Sequence, residues 1–320
     1  MPDPSPENAR LLEPSGNAYE TALLIDEEIS NEERELLSED ELDGFIKKKL
    51  GWSFWIATGW FFLVAGLALI APFLTERGII QDPYKLTRKL LAPSPTNWLG
   101  TDDLGRDVLS RLIWGARVSL SVGFASIALG LAFGVTIGIV SGYLKGWIDS
   151  TLMTAMDIIL AFPALLLALS IIGFSGQKTI PYISIAIGVV AIPSIARLVR
   201  ANTLSFRERE FVLASRTLGA SHGRILAREI LPNVVPPIVS FAVIGIAVAI
   251  AAEAGLAFLG VSVELPTATW GGMINAARPQ MQNYPLQVFI PCAVLTITIM
   301  AFYLMGDRLR AFFDVKEGGL

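Results

Sequence analysis

Six stretches of the chain run apolar for long enough to cross a membrane, at about 52–74, 117–142, 151–173, 179–199, 234–260 and 286–306. Each reaches the ~20 residues that a helix needs to traverse about 30 Å of hydrocarbon. Helix is the natural reading, because in lipid each backbone N–H and C=O must be paired within its own segment. The second stretch carries Gly123, Gly130, Gly134, Gly138 and Gly142. Small residues about one helical turn apart let two helices approach closely, which places this helix inside a bundle. Three polar segments interrupt the pattern: about 75–116, about 200–233, and about 261–285 with Pro266, Gly271, Gly272 and Pro279.

Composition agrees with an all-α membrane protein. The 320 residues are 53% hydrophobic and 17% charged, against about 25% charged for soluble domains, and the mean hydropathy is +0.56. The net charge of −4 hides two regimes. Residues 1–50 hold 14 acidic and 5 basic side chains, and the other 270 hold 15 and 20. With little apolar surface to offset ordering, residues 1–50 are expected to be an acidic cytoplasmic tail, disordered or loosely helical. Lys47, Lys48 and Lys49 read as a basic collar before the first span. The acidic start is not that of a signal peptide. If the amino terminus is cytoplasmic, 16 Lys and Arg fall in inside segments and 9 outside. This bias predicts both termini inside. The body's charges form no basic stripe, so nucleic acid is not an expected partner.

Catalytic chemistry has little to stand on. Cys292 and His222 are single, which excludes a disulfide within the chain, a Cys-x-x-Cys pair and most His/Cys metal sites. The sequence has no phosphate-cradling P-loop, no Gly-x-Ser-x-Gly elbow and no His-Glu-x-x-His pair. Energised work must draw on a partner, an ion gradient or a diffusing substrate.

The segment from Arg207 to His222 is the most informative. Ala214 and Ser215, then Gly219 and Ala220, predict a short helix, a tight turn and a second helix. Phe211, Leu213 and Leu218 supply apolar knobs. Such an element between two spans suits a groove on another protein. It resembles the EAA loop of ATP-binding-cassette importer permeases: Glu-Ala-Ala, three residues, Gly, nine residues, Ile-x-Leu-Pro. Ala214, Ser215, Gly219, Leu231 and Pro232 fall in register, whereas Leu213 stands at the Glu position and Glu229 at the Ile position. A second run, Leu99-Gly-Thr-Asp-Asp-Leu-Gly-Arg-Asp-Val-Leu-Ser-Arg-Leu-Ile-Trp-Gly-Ala-Arg-Val-Ser-Leu120, closely resembles the C-type permease subunit of dipeptide, oligopeptide and nickel importers. Asp157 to Pro163 and Leu256 to Gly260 are similar to that subfamily too.

The resemblance covers about 52–315 and implies a type I importer permease domain over 51–315. It implies a B-type permease partner, two cytoplasmic ATPase subunits that hold ATP and Mg, and an extracytoplasmic substrate-binding protein. No cofactor or metal is implied on this chain. Contact with the ATPases would fall to Glu210, Phe211, Leu213, Ala214, Ser215, Leu218, Gly219, Ala220, Ser221, His222 and Pro232. Di- or oligopeptides are the first expectation for the cargo, with nickel chelates and oligosaccharides open beside them, and the inner membrane is the expected location.

Single residues carry further expectations. Asp157 and Glu253 are the carboxylates within spans, hence candidates for the pathway or a gate. Asp157 is in reach of Arg197 or Arg200. Glu253, near a span end, is expected to bond backbone or to snorkel. Pro163 and Pro193 are candidate kinks. Thr101 with Asp102 and Asp103 reads as a helix start, with Asp103 and Asp107 facing Arg106 and Arg111. A gradient-coupled secondary transporter is the alternative, and an intramembrane enzyme a third reading without catalytic support.

Overall fold

The computed structural model describes residues 50–317. The expectations for residues 1–49, the acidic tail and its basic collar, lie outside them. The described residues are helical: α1 (Gly51–Glu76), α2 (Val108–Leu144), α3 (Gly146–Leu160), α4 (Ala164–Ser175), α5 (Ile180–Arg207), α6 (Glu210–Thr217), α7 (His222–Ile225), α8 (Leu231–Phe258), α9 (Trp270–Ala277) and α10 (Leu286–Glu317). Five long apolar helices can each cross a membrane, counting the run His222–Phe258 as one. The sixth apolar stretch is the bent pair α3 and α4, which turns by 88°. The expectation of one helix over 151–173 is thereby corrected. Pro163 lacks an N–H and disfavours helix at the residue before it, so the chain breaks at Ala161–Phe162–Pro163. Pro193, by contrast, sits inside a continuous α5.

Close packing of α2 on α5 is the centre of the bundle. A Cβ at Gly134 would lie 2.8 Å from Ile195 Cβ, one at Gly138 2.6 Å from the Ala196 carbonyl, and one at Gly142 2.8 Å from Thr203 Cβ. The stripe therefore lets α5 lie directly against the α2 backbone, as the spacing predicts. Gly123 faces α8 instead, where Ile250 would be 2.8 Å from an added Cβ.

Helix α2 starts later in the polar loop than Thr101 suggests. Residues 101–107 form no helix, and Thr101 pairs with Asp107 in an isolated antiparallel bridge. Asp107 is the N-cap, taking hydrogen bonds from Ser110 N at 2.8 Å and Ser110 Oγ at 2.7 Å. Asn97 Nδ2 donates to its other oxygen at 2.9 Å. With Asp107 so engaged, Asp102 meets the arginines: Arg106 Nε at 2.7 Å and Arg111 Nε at 3.6 Å. Arg111 Nη1 also donates to the Pro266 carbonyl at 3.2 Å. The buried Arg111 guanidinium thus ties the loop before α2 to the segment before α9.

Contacts fix which helix ends lie together. Trp114 Nε1 donates to Thr75 Oγ1 at 3.2 Å, joining the start of α2 to the end of α1. Lys145 meets Glu208 at 2.9 Å, joining the end of α2 to the end of α5. The bundle therefore has a loop end, with residues 77–107 and 261–285, and an elbow end, with residues 208–222.

The packing makes a contrast testable in the purified chain in detergent. Gly138→Ala forces overlap with α5 and is expected to cost ~1–3 kcal/mol, lowering the thermal midpoint. Gly66→Ala, with nothing within 4 Å of the new methyl, should leave that midpoint unchanged.

Candidate functional site

The segment at the elbow end folds as a helix-turn-helix. Helix α6 stops in a Schellman turn: Ala220 N donates to Ser215 O at 3.1 Å and Gly219 N to Arg216 O at 3.0 Å. This closure needs a left-handed residue, and Gly219 supplies φ +79°. The second helix is not separate. Helix α7 runs through a π turn at Leu226–Ile230 into α8. The polar loop read as 200–233 therefore shrinks, because α5 extends to Arg207 and the span before α8 begins at His222.

One face of this elbow is anchored. Val212, Ile225 and Ile230 are fully buried, in one cluster with Ile139 and Tyr143 of α2, Ile195 and Val199 of α5, and Val234 of α8. The opposite face is open. Phe211 is 39% exposed, Leu213 48% and Leu218 87%. Glu210, Ala214, Ser221, His222 and Pro232 are exposed as well, and Ser215 and Ala220 are partly so. Ten of the eleven candidate residues thus fall on α6, its closing turn or the start of α7, while Pro232 lies further on, in the first turn of α8. Val212 escapes sequence reading because a valine among exposed apolar neighbours carries no sign of which face is inward.

Tyr143 is a second residue that the sequence does not flag. An aromatic in the last turn of a span reads as an interfacial belt residue, yet Tyr143 is 2% exposed. Its hydroxyl is 2.9 Å from His222 Nδ1. The guanidinium carbons of Arg207 and Arg216 lie 5.8 and 5.2 Å from its ring centre. Nearby, Lys145 holds the exposed Glu208 carboxyl below the usual carboxylate range by hydrogen bonding.

The two intramembrane carboxylates sit in different surroundings. Asp157 pairs with Arg197 Nη2 at 2.5 Å, with side chains 60% and 53% exposed. Arg200 takes Asp149 instead, through Nε at 2.6 Å and Nη2 at 2.7 Å. Glu253 is fully buried. Neither snorkelling nor a backbone bond accounts for it, which corrects that expectation. Ser262 Oγ donates to it at 2.7 Å and Ser119 Oγ at 3.1 Å. Ser119 Oγ in turn accepts from Trp270 N at 3.3 Å. Glu253 therefore joins α2, α8 and α9 at the loop end, beside a mixed cleft lined by Lys178, Ser262 and Glu264 together with Ala257, Val263 and Leu265. Among the described residues no group of His, Cys, Asp and Glu is arranged to hold a metal ion.

A bundle of five or six apolar helices with an elbow open on one face has the form of a multi-pass membrane protein. Residues 134–316 match the family described as binding-protein-dependent transport system inner membrane component. The chain is 38% identical over 250 residues to the dipeptide transport system permease protein DppC of Alkalihalophilus pseudofirmus, covering 78% of this chain and 81% of that one. It is 44% identical to the glutathione transport system permease protein GsiD of Shigella flexneri over 71% of this chain and 75% of the relative. Among solved structures, a chain of the inward-facing MetNI methionine ABC transporter aligns with TM-score 0.55 and 21% identity, covering 63% of this chain and 96% of that one. The chain belongs to the binding-protein-dependent transport system inner membrane component family, and its fold is that of a type I importer permease. It is a multi-pass inner-membrane permease subunit of an ATP-driven importer, working with further permease and ATPase subunits and not itself the ATPase.

The Glu253 cluster yields a graded expectation. Glu253→Ala leaves two buried serine hydroxyls without their acceptor, at ~1–3 kcal/mol for each stranded group, so the thermal midpoint in detergent should fall markedly. Ser262→Ala removes one bond and should cost less. Glu253→Gln keeps an acceptor oxygen and should lie nearest the unsubstituted protein.

Proposed function

We propose that this chain is the C-type permease of an importer for small peptides, from dipeptides to short oligopeptides. It pairs with a B-type permease to enclose the pathway. Two cytoplasmic ATPase subunits bind and hydrolyse ATP with Mg, and an extracytoplasmic binding protein delivers the peptide. The cargo rests on the relatives named for dipeptide and glutathione transport.

In this reading the elbow end and both termini are cytoplasmic. The excess of Lys and Arg in segments at that end supports the orientation. The elbow is the ATPase contact, and the observation that carries this is Leu218. It is 87% exposed at the tip, on a turn closed by two backbone hydrogen bonds, in a segment in register with the EAA pattern. A rigid apolar tip beside charged residues fits a groove in a soluble partner. Buried Val212 and Ile225 make the elbow move with α2 and α5, so closure of the ATPase pair is passed into the span region. The Asp157–Arg197 pair, beside the break between α3 and α4, faces the pathway. Glu253 acts at the outer gate by holding α9. A gradient-coupled carrier would need no such elbow.

Co-purification of the four-subunit complex tests the assignment. Deleting Gly219 through His222 should abolish ATPase association and substrate-stimulated hydrolysis. Leu218→Asp, which puts a charge into an apolar contact, should weaken association at least tenfold, a loss of about 1.4 kcal/mol or more. Unchanged association and coupling in both variants would refute it.

A further inference from the structure

We infer that Tyr143 is a positioning residue for coupling, the point at which all three pieces of the elbow are fastened to α2. The inference rests on reading the elbow as the ATPase contact. Arg207 ends α5, Arg216 lies in α6 and His222 opens α7. These three successive elements converge on one side chain. The two guanidinium groups lie over its ring at 5.8 and 5.2 Å, and His222 Nδ1 is 2.9 Å from its hydroxyl. The His222 ring also meets the Tyr143 ring edge-on, with centroids 5.6 Å apart.

Chemistry makes the tyrosine hard to replace here. Its ring face offers electron density to cations, while its edge carries a hydroxyl that can donate to or accept from an imidazole. Arg207 Nη1 and Arg216 Nε are buried without a hydrogen-bond acceptor among the described residues. The aromatic face lies beside both of these unpaired nitrogens and offers them electron density in place of an acceptor. A displacement of α6 relative to α5 must carry Tyr143 along or separate these groups. Tyr143 lies in the last turn of α2, whose glycine stripe is packed without slack against α5. Movement of the elbow thus reaches the spans as movement of α2. The His222 hydrogen bond is the directional part of this joint. The apolar anchors Val212 and Ile225 hold position but fix no orientation.

The test uses the complete importer in proteoliposomes with its binding protein, reading ATP hydrolysed per peptide imported. Tyr143→Phe keeps the ring and removes the hydroxyl. His222→Ala removes the partner, and His222→Asn keeps a polar group near the Nδ1 position. Tyr143→Phe and His222→Ala should each raise the ratio about five-fold, the scale of one hydrogen bond. The double variant should be no worse than either single one, and His222→Asn should restore most of the coupling. A normal ratio in Tyr143→Phe, or additive losses in the double variant, would overturn the inference. Should Tyr143→Phe fail to assemble, His222→Ala is read with the Leu218→Cys crosslink: a raised ratio with the crosslink kept supports the inference, and a normal ratio or a lost crosslink overturns it. Thiol crosslinking from Leu218→Cys to the ATPase, with Cys292→Ser, separates the two readings. Absence of the crosslink in the otherwise unsubstituted elbow would count against ATPase docking itself, whereas its presence with normal coupling in Tyr143→Phe would count against Tyr143 alone.

Discussion

The backbone-to-backbone approach of α2 and α5 is the constraint on which the other parts depend. In lipid there is no hydrophobic gain in bringing two apolar helices together, so association draws on dispersion and close fit. Gly130, Gly134, Gly138 and Gly142 remove the side chains that would hold the axes apart, and Ile195, Ala196, Val199 and Thr203 fill the groove so formed. Because Tyr143 lies in the last turn of α2 and α5 runs directly into the elbow, this fit also determines where the elbow can stand.

The two ends of the bundle are built on different physical terms. At the loop end, polar groups are buried and satisfied: Asp102 with Arg106 and Arg111, and Glu253 with Ser119 and Ser262. Breaking such a network strands a buried charge or hydroxyl and is expensive. At the elbow end, Lys145–Glu208 is solvent-exposed, and exposed pairs contribute ~1 kcal/mol or less. The elbow is fastened to α2 and α5 mainly by the apolar cluster around Val212 and Ile225 and by the Tyr143–His222 contact, while the loop end keeps α2, α8 and α9 in register.

The break between α3 and α4 belongs to the same logic. Non-helical backbone at membrane depth is tolerated only where protein covers it or water reaches it. Phe162 is 56% exposed beside the break, and the Asp157–Arg197 pair is more than half exposed next to it. The exposed ion pair is a poor match for hydrocarbon, which the pathway role proposed for it would explain.

Much of this was legible along the chain. The six apolar stretches, the close approach of the glycine-bearing helix and the helix-turn-helix around Gly219 follow from period, residue size and local backbone preference, and the family resemblance from the motif residues at 99–120 and 213–232. These are properties that a residue carries with it. What tertiary structure alone decided concerns choice among neighbours. Asp102, not Asp107, meets the arginines because Asp107 is already engaged as a cap. Arg197, not Arg200, takes Asp157 because Asp149 occupies Arg200. Glu253 is satisfied by hydroxyls 134 and 9 residues away, and Tyr143 gathers three elements that the sequence spreads over sixteen residues from 207 to 222. Burial and pairing depend on which surfaces meet, and that information exists only once the helices have packed.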